Sequence, residues 1–205
     1  MGLQDTFKNV AKAAANALGD VVEVVTYRKI TATAYAPATS ATPTETATII
    51  ADIDAVWSDI RSQRVDGQGV NIRQRQVVLF GKDLGTTIPT EDGEIHRVSG
   101  DLFDHTGAGT ADDFSFEADP YNAIRGASLG SIAVGQWIHT AFAAESGNTG
   151  IAKVTGINTD LIVVDKSLTA EDSSVARIRD VEIWRIIGPV VADPAGATYT
   201  CLVRQ

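Results

Sequence analysis

Three histidines and one cysteine carry most of the side-chain chemistry that this sequence offers to catalysis or metal binding. His96, His105 and His139 are scattered, and no two have the spacing that sets a pair of imidazoles on one helix face. The stretch DLFDHTGAGTADD gathers Asp101, Asp104, His105, Asp112 and Asp113, a set of oxygen ligands suited to a divalent cation. It lacks the Asp-x-Asp-x-Asp-Gly order of a calcium loop, so a solvated acidic loop is the expected state. GAGTAD, inside that stretch, has no leading strand or following helix, which removes the dinucleotide fingerprint. Neither a Gly-x-Ser-x-Gly turn nor a Gly-Lys-Ser/Thr phosphate loop occurs. Cys201 lies in a strand-like run, where a small buried hydrophobe is expected rather than a nucleophile. Trp57, Trp137 and Trp184 each adjoin strand-type apolar residues and read as core packing. The expectation is a protein without catalysis, metal or cofactor.

Positioning these residues falls to a chain of 205 residues, enough for one large domain or two small ones. With 44% hydrophobic and 21% charged residues it has the composition of a globular protein with a real core. A net charge of −9 argues against a surface that grips nucleic acid through its phosphates. It does not exclude DNA passing nearby. A lone cysteine permits no intrachain disulfide and points to a reducing compartment. The longest apolar runs are too short to span a bilayer, and the start lacks a basic-then-apolar leader, so a soluble protein made in a cytoplasm is expected, with no membrane partner.

Along the chain, LQDTFKNVAKAAANALGD spaces Leu3, Phe7, Val10, Ala14 and Leu18 by three or four, which predicts a helix with a narrow apolar stripe and Gly19 as its C-cap. Such a thin helix needs a partner surface, either the protein's own sheet or a neighbouring subunit. VVEVVTYRKITATAYAP predicts a strand, PATSATPTETAT a loop, and TIIADIDAVWSDI a strand with Ile50, Asp52 and Asp54 on one face and Ala51, Ile53 and Ala55 on the other. QVVLFGKDLG is a shorter strand ending at glycine, and IPTEDGEIHRV places Pro89 and an Asp-Gly turn before another short strand. Residues 100–119, rich in Gly and Asp, read as a linker or mobile loop.

Beyond that linker a run of short strands separated by Gly, Asn and Asp turns suggests a small β-barrel or sandwich. In SSVARIRDVEIWRII the apolar residues move from even positions, Ala176 and Ile178, to odd ones, Val181 and Ile183. A phase switch across Arg179 and Asp180 means that the strand changes which core it serves. The expected fold is therefore mainly β. A small β-barrel core with an N-terminal helix is built from residues 1–97 and 180–205, and a second β-barrel or sandwich, residues 98–179, is inserted at a hairpin tip.

LQDTFKNVAKAAANALGDVVEVVTYRK, the IIADIDAVWSDI strand and WRIIGPVVADPAGATYTCLVRQ resemble the head-closure, or stopper, proteins of long-tailed bacteriophages. Trp184, Arg185, Ile186, Tyr199, Leu202 and Arg204 fill the places of the late Trp-Arg-Ile strand and the terminal Tyr-x-Leu-x-Arg-like strand. VGQWIHTAFAAESGNTGIAKVTGINTDLIVVDKSLTAED resembles small β modules of phage tail and neck proteins, an insertion that the compact stopper pattern lacks. The resemblance implies a structural virion protein, assembled in the host bacterial cytoplasm. It would form a homo-oligomeric ring, expected as a hexamer, between the capsid's portal and adaptor proteins and the tail. Such a ring closes the DNA channel until ejection and passes DNA without reading its sequence. The sequence leaves open a tail terminator or other tail-tube ring protein, and a tail adhesin or carbohydrate-binding module. On this reading Trp57, Trp184, Ile186, Tyr199 and Leu202 pack the core, and Phe7, Arg185 and Arg204 meet neighbouring subunits or rings. Lys82, Asp83, Glu91 and Asp92 stand on a channel-facing loop, FGKDLGTTIPTEDG, with YAPATSATPTETA as a second one, both mobile enough to open and close.

Overall fold

The computed structural model describes residues 2–34, 44–59, 74–105, 114–126, 129, 131–141, 143, 146–158, 161–172 and 176–205. The fold is mainly β with one N-terminal α-helix. It divides into two compact units, Met1–Arg97 with Ile183–Gln205, and Val98–Glu182.

The first unit opens with α1 (Leu3–Leu18), where the Asp5 carboxylate accepts the Gly2 N–H and Gly19, at φ 54, ends the helix. Then come β1 (Val22–Ala34), β2 (Thr44–Asp59), β3 (Gln74–Phe80) and the start of β4 (Glu94–His105). All pair antiparallel in the order β4–β1–β2–β3. The loop expected over PATSATPTETAT is shorter than that, since Thr44–Thr48 already pair with β1.

The chain re-enters this unit at the end of β11 (Ala176–Ile186), and finishes with β12 (Val191–Ala192) and β13 (Thr198–Arg204). β13 runs antiparallel to β3 from Thr198↔Phe80 to Arg204↔Gln74. Its other edge is taken first by β12 and then by β11, through Arg185↔Arg204 and Ile186↔Val203. With β11 beside β4, the order of pairing returns on itself. Asp193 seats β13: its carboxylate accepts the N–H groups of Ala195 and Thr198, and Gly196 turns the chain at φ 61. Gly81 is required here because a Cβ would lie 2.1 Å from the Gly196 carbonyl oxygen.

Inside this ring of strands lie Val25, Tyr27, Ile53, Ala55, Val77, Leu79, Ile95, Trp184, Ile186, Tyr199, Cys201 and Val203. Trp57 packs against them at the margin, its ring 5.5 Å from Trp184. Leu202 is not among them. The strand alternates, Tyr199, Cys201 and Val203 point inward, and Leu202 is left on the opposite, half-buried face. A second correction concerns β2. Its register against β1 slips between Val25↔Ile53 and Tyr27↔Ile50, and Asp52 takes the left-handed region at φ 56. This bulge brings Ile50 to the core that Ile53 serves, so the simple alternation expected for the strand breaks at Asp52.

The second unit holds the remainder of β4 and β11 with β5 (Phe114–Glu117), β6 (Ala123–Gly126), β7 (Trp137–Ala141), β8 (Gly150–Asn158), β9 (Leu161–Val164) and β10 (Glu171–Asp172), in the order β10–β5–β6–β9–β8–β7–β11. Its core is Phe116, Ile124, Leu129, Ile132, Ile138, Ala152, Val154, Ile162, Val164, Leu168 and Ile178. Buried Asn148 ties two turns together, donating to the Thr169 carbonyl and the Glu171 carboxylate while accepting the Thr169 N–H. The linker expected over 100–119 is instead strand at Gly100–His105 and at Phe114–Glu117. Residues 106–113 lie outside the described set.

β11 serves both cores. Ile178 belongs to the second unit's core, while Trp184 and Ile186 belong to the first. The expected move to odd positions does not occur: Trp184 and Ile186, which serve the first core, have the same parity as Ile178, while Val181 is buried in neither core and Ile183 is half-buried.

Candidate docking surface

α1 carries its apolar stripe on the wrong side for a surface helix. Leu3, Phe7, Val10 and Leu18 are 75%, 50%, 61% and 52% exposed, and only Ala15 is buried. The face turned to the sheet is small and polar: Lys8 Nζ donates to the Gly85 carbonyl at 3.3 Å, and Lys12 Nζ lies 2.7 Å from both Asp54 Oδ2 and Asp83 Oδ2. Burial alone would lower the Lys12 pKa, but the two carboxylates reverse this and raise it above the usual lysine value. The stripe needs a partner, and among the described residues of this unit it has none.

The turn from Gly81 to Gly93 holds the four residues expected on a channel loop. Lys82, Glu91 and Asp92 are exposed. Asp83 is not: it accepts from Lys12 and from the Asp54 N–H at 3.1 Å, tying β2, the turn and the helix at one carboxylate. Leu84 is buried in the core, the Tyr27 hydroxyl accepts the Thr90 N–H at 3.1 Å, and the Asp92 N–H donates to the Ile186 carbonyl. This turn is pinned at both ends rather than free to swing. Of the second expected loop, residues 35–43 lie outside the described residues.

On the sheet face opposite the core sits a row of charge. Glu94 is the first residue of β4, paired in register with Arg28 of β1. Its Oε2 accepts from Arg28 Nη1 at 2.9 Å and from His96 Nε2 at 3.2 Å, while Arg185 Nη2 is 3.4 Å from Oε1. The His96 contact, against the cost of burial and with the help of Arg28, pulls the Glu94 carboxyl down to about 2. Arg28, Glu94 and His96 are buried, whereas Arg185 is 59% exposed, and Arg204, its cross-strand partner, is exposed too.

The chemically reactive candidates do not converge. His96 is part of the Glu94 cluster, and His139 lies on β7 of the other unit. Asp101 pairs with Arg179 and Arg177, while Asp112 and Asp113, and the side chains of Asp104 and His105, lie outside the described set. Among the described residues no three His, Cys, Asp or Glu side chains gather as a metal site. Burial raises the Cys201 thiol to about 12. Among the described residues no helix is long and apolar enough to cross a membrane.

No family model and no curated protein matches this chain. The sequence left open whether the α1 stripe meets its own sheet or a neighbour, and it did not reveal the Lys12–Asp54–Asp83 clamp. A lysine on the helix face beside the stripe was the available signal, but its acceptors lie on β2 and in the turn after β3.

Proposed function

We propose that this chain is a structural subunit of the neck of a tailed bacteriophage particle, of the head-closure type. It assembles as a ring between the portal and adaptor proteins and the tail, and closes the DNA channel until ejection. One observation carries the reading: α1 holds four large apolar side chains away from its own sheet, at a spacing that fits another protein surface. A subunit that completes its burial only by assembling would be built in this way. The resemblance of both chain ends to stopper proteins supplies the kind of assembly, and the acidic balance suits a wall past which DNA slides. On this reading Arg204 and Arg185 meet neighbouring subunits, and Lys82, Glu91 and Asp92 stand on the loop that faces the channel.

Two measurements test this. Light scattering on the purified chain reads the copy number of the assembly, and a monomer at every concentration counts against the ring. Labelled subunits imaged in intact particles read its place. A signal at the junction of capsid and tail supports the reading, and one along the tail or at its tip replaces it with a tail-tube or adhesin role.

A further inference from the structure

We propose that Arg185 and Arg204 together form a receptor for a carboxylate on a second copy of this chain. Three observations lead there. The two arginines are directly opposite each other on neighbouring antiparallel strands, Arg185↔Arg204, and both are exposed. Like charges opposed in this way destabilise a sheet unless something lies between them. Arg204 has no ion-pair partner among the described residues, and the one carboxylate near Arg185 is already engaged, its Oε2 holding Arg28 and His96 and its Oε1 reaching Arg185 only at 3.4 Å. Glu94 is thus neutralised by Arg28, and the charges of Arg185 and Arg204 stand in excess.

Guanidinium groups on adjacent strands, about 5 Å apart at the backbone, can straddle one carboxylate and donate to both of its oxygens. The rest of the chain supplies the complement. With 26 acidic against 17 basic residues, a second copy approaches this patch with a surface rich in carboxylates. A DNA phosphate would meet the same patch, and the test below separates it from a carboxylate of a second copy. When the receptor of one copy meets a carboxylate on a separate surface of the next, the contact is head-to-tail and forms a ring if the rotation closes. The choice of occupant rests on the proposed ring; the excess of cations does not.

The test compares self-association of the full chain, by sedimentation velocity and light scattering, for wild type, R185E/R204E, R204E and F7D. Wild-type association should weaken roughly tenfold between about 0.05 M and about 0.5 M NaCl, because the contact is exposed to screening. R185E/R204E should weaken it by roughly 100-fold or more and remove the salt dependence, with the thermal melt retained. If the double variant fails to fold, R204E alone, at the exposed end of β13, decides by the same readout. An R185E/R204E or R204E protein that assembles as wild type does, beside an F7D protein that does not, overturns this proposal and leaves the ring reading standing. Wild type that stays monomeric overturns both. A fluorescent DNA duplex that binds wild type but not R204E, with self-association unchanged, overturns it in favour of a phosphate site.

Discussion

β13 and α1, the two ends of the first unit, are held by different physics. β13 has a hydrogen-bonding strand on both of its edges, β3 along its whole length and β12 then β11 on the other side, and it sends Tyr199, Cys201 and Val203 into the core. α1 contributes one buried alanine and hangs on the sheet through Lys8 and Lys12, its large apolar residues facing out. Burial and ladder pairing make β13 part of the fold. The helix is tied by a few charged contacts, and its apolar stripe is left for another surface to cover. An end whose burial is complete is structural, and an end whose burial is mostly unmet is, on the proposed reading, a means of assembly.

The largest effect should come from removing Tyr199–Gln205. The loss takes three core side chains, each worth about 2–5 kcal/mol, and reopens the order of pairing, a cost comparable to the whole stability of a typical domain. Calorimetry on the truncated chain should show no cooperative transition for this unit; a native-like melt would remove the distinction between the two ends.

Next is Glu94, whose charge is buried within the sheet. Its folded pKa, about 2, lies below the ordinary value of 4.5, so its ionised form favours the folded state. That contribution, on the order of 3 kcal/mol, is fully present above about pH 4.5 and is lost as pH falls towards 2. Denaturant midpoints should fall steeply across this window for wild type. For E94Q they should start lower at neutral pH and change little there, and parallel curves for the two proteins would refute the assignment.

Cutting the helix tether should cost less. Lys12→Met leaves Asp54 and Asp83 facing each other and loses two charged hydrogen bonds, about 2 kcal/mol. Hydrogen exchange should accelerate over Leu3–Leu18 while β13 stays protected and the buried Cys201 thiol stays unreactive. Loss of protection in both would mean that the helix is as integral as the strand.

The smallest effect on stability belongs to Phe7→Asp. An exposed side chain changes monomer stability by no more than about 0.5 kcal/mol. Self-association should nevertheless fall, since a carboxylate enters the apolar stripe. A destabilised monomer with unchanged association would reverse the roles of the two ends.

Periodicity made much of this architecture readable. Leu3, Phe7, Val10 and Leu18 specify a helix at 3.6 residues per turn, Gly19 its end, and the β-branched runs their strands, because these patterns follow from backbone geometry local to each segment. The Asp92–Gly93 turn was readable in the same way, and Asp92 does adopt a positive φ of 66. What periodicity does not carry is direction. Whether Leu202 or its neighbours Cys201 and Val203 face the core depends on which side of β3 and β11 the interior lies. The extension of β4 through Gly100–His105 was hidden by its Gly and Asp content, since pairing in the sheet overrides weak strand propensity.

The amino-acid order alone set most of the element types, the amphipathic spacing of α1, the acidic balance and the lone cysteine, all of them properties of neighbouring residues or of simple sums. The outward roll of α1, the bulge at Asp52 that returns Ile50 to the core, and the gathering of Arg28, His96 and Arg185 around Glu94 come from segments far apart in the chain. Each depends on a partner that local pattern does not name, because facing and charge neutralisation are settled only when distant strands pack together.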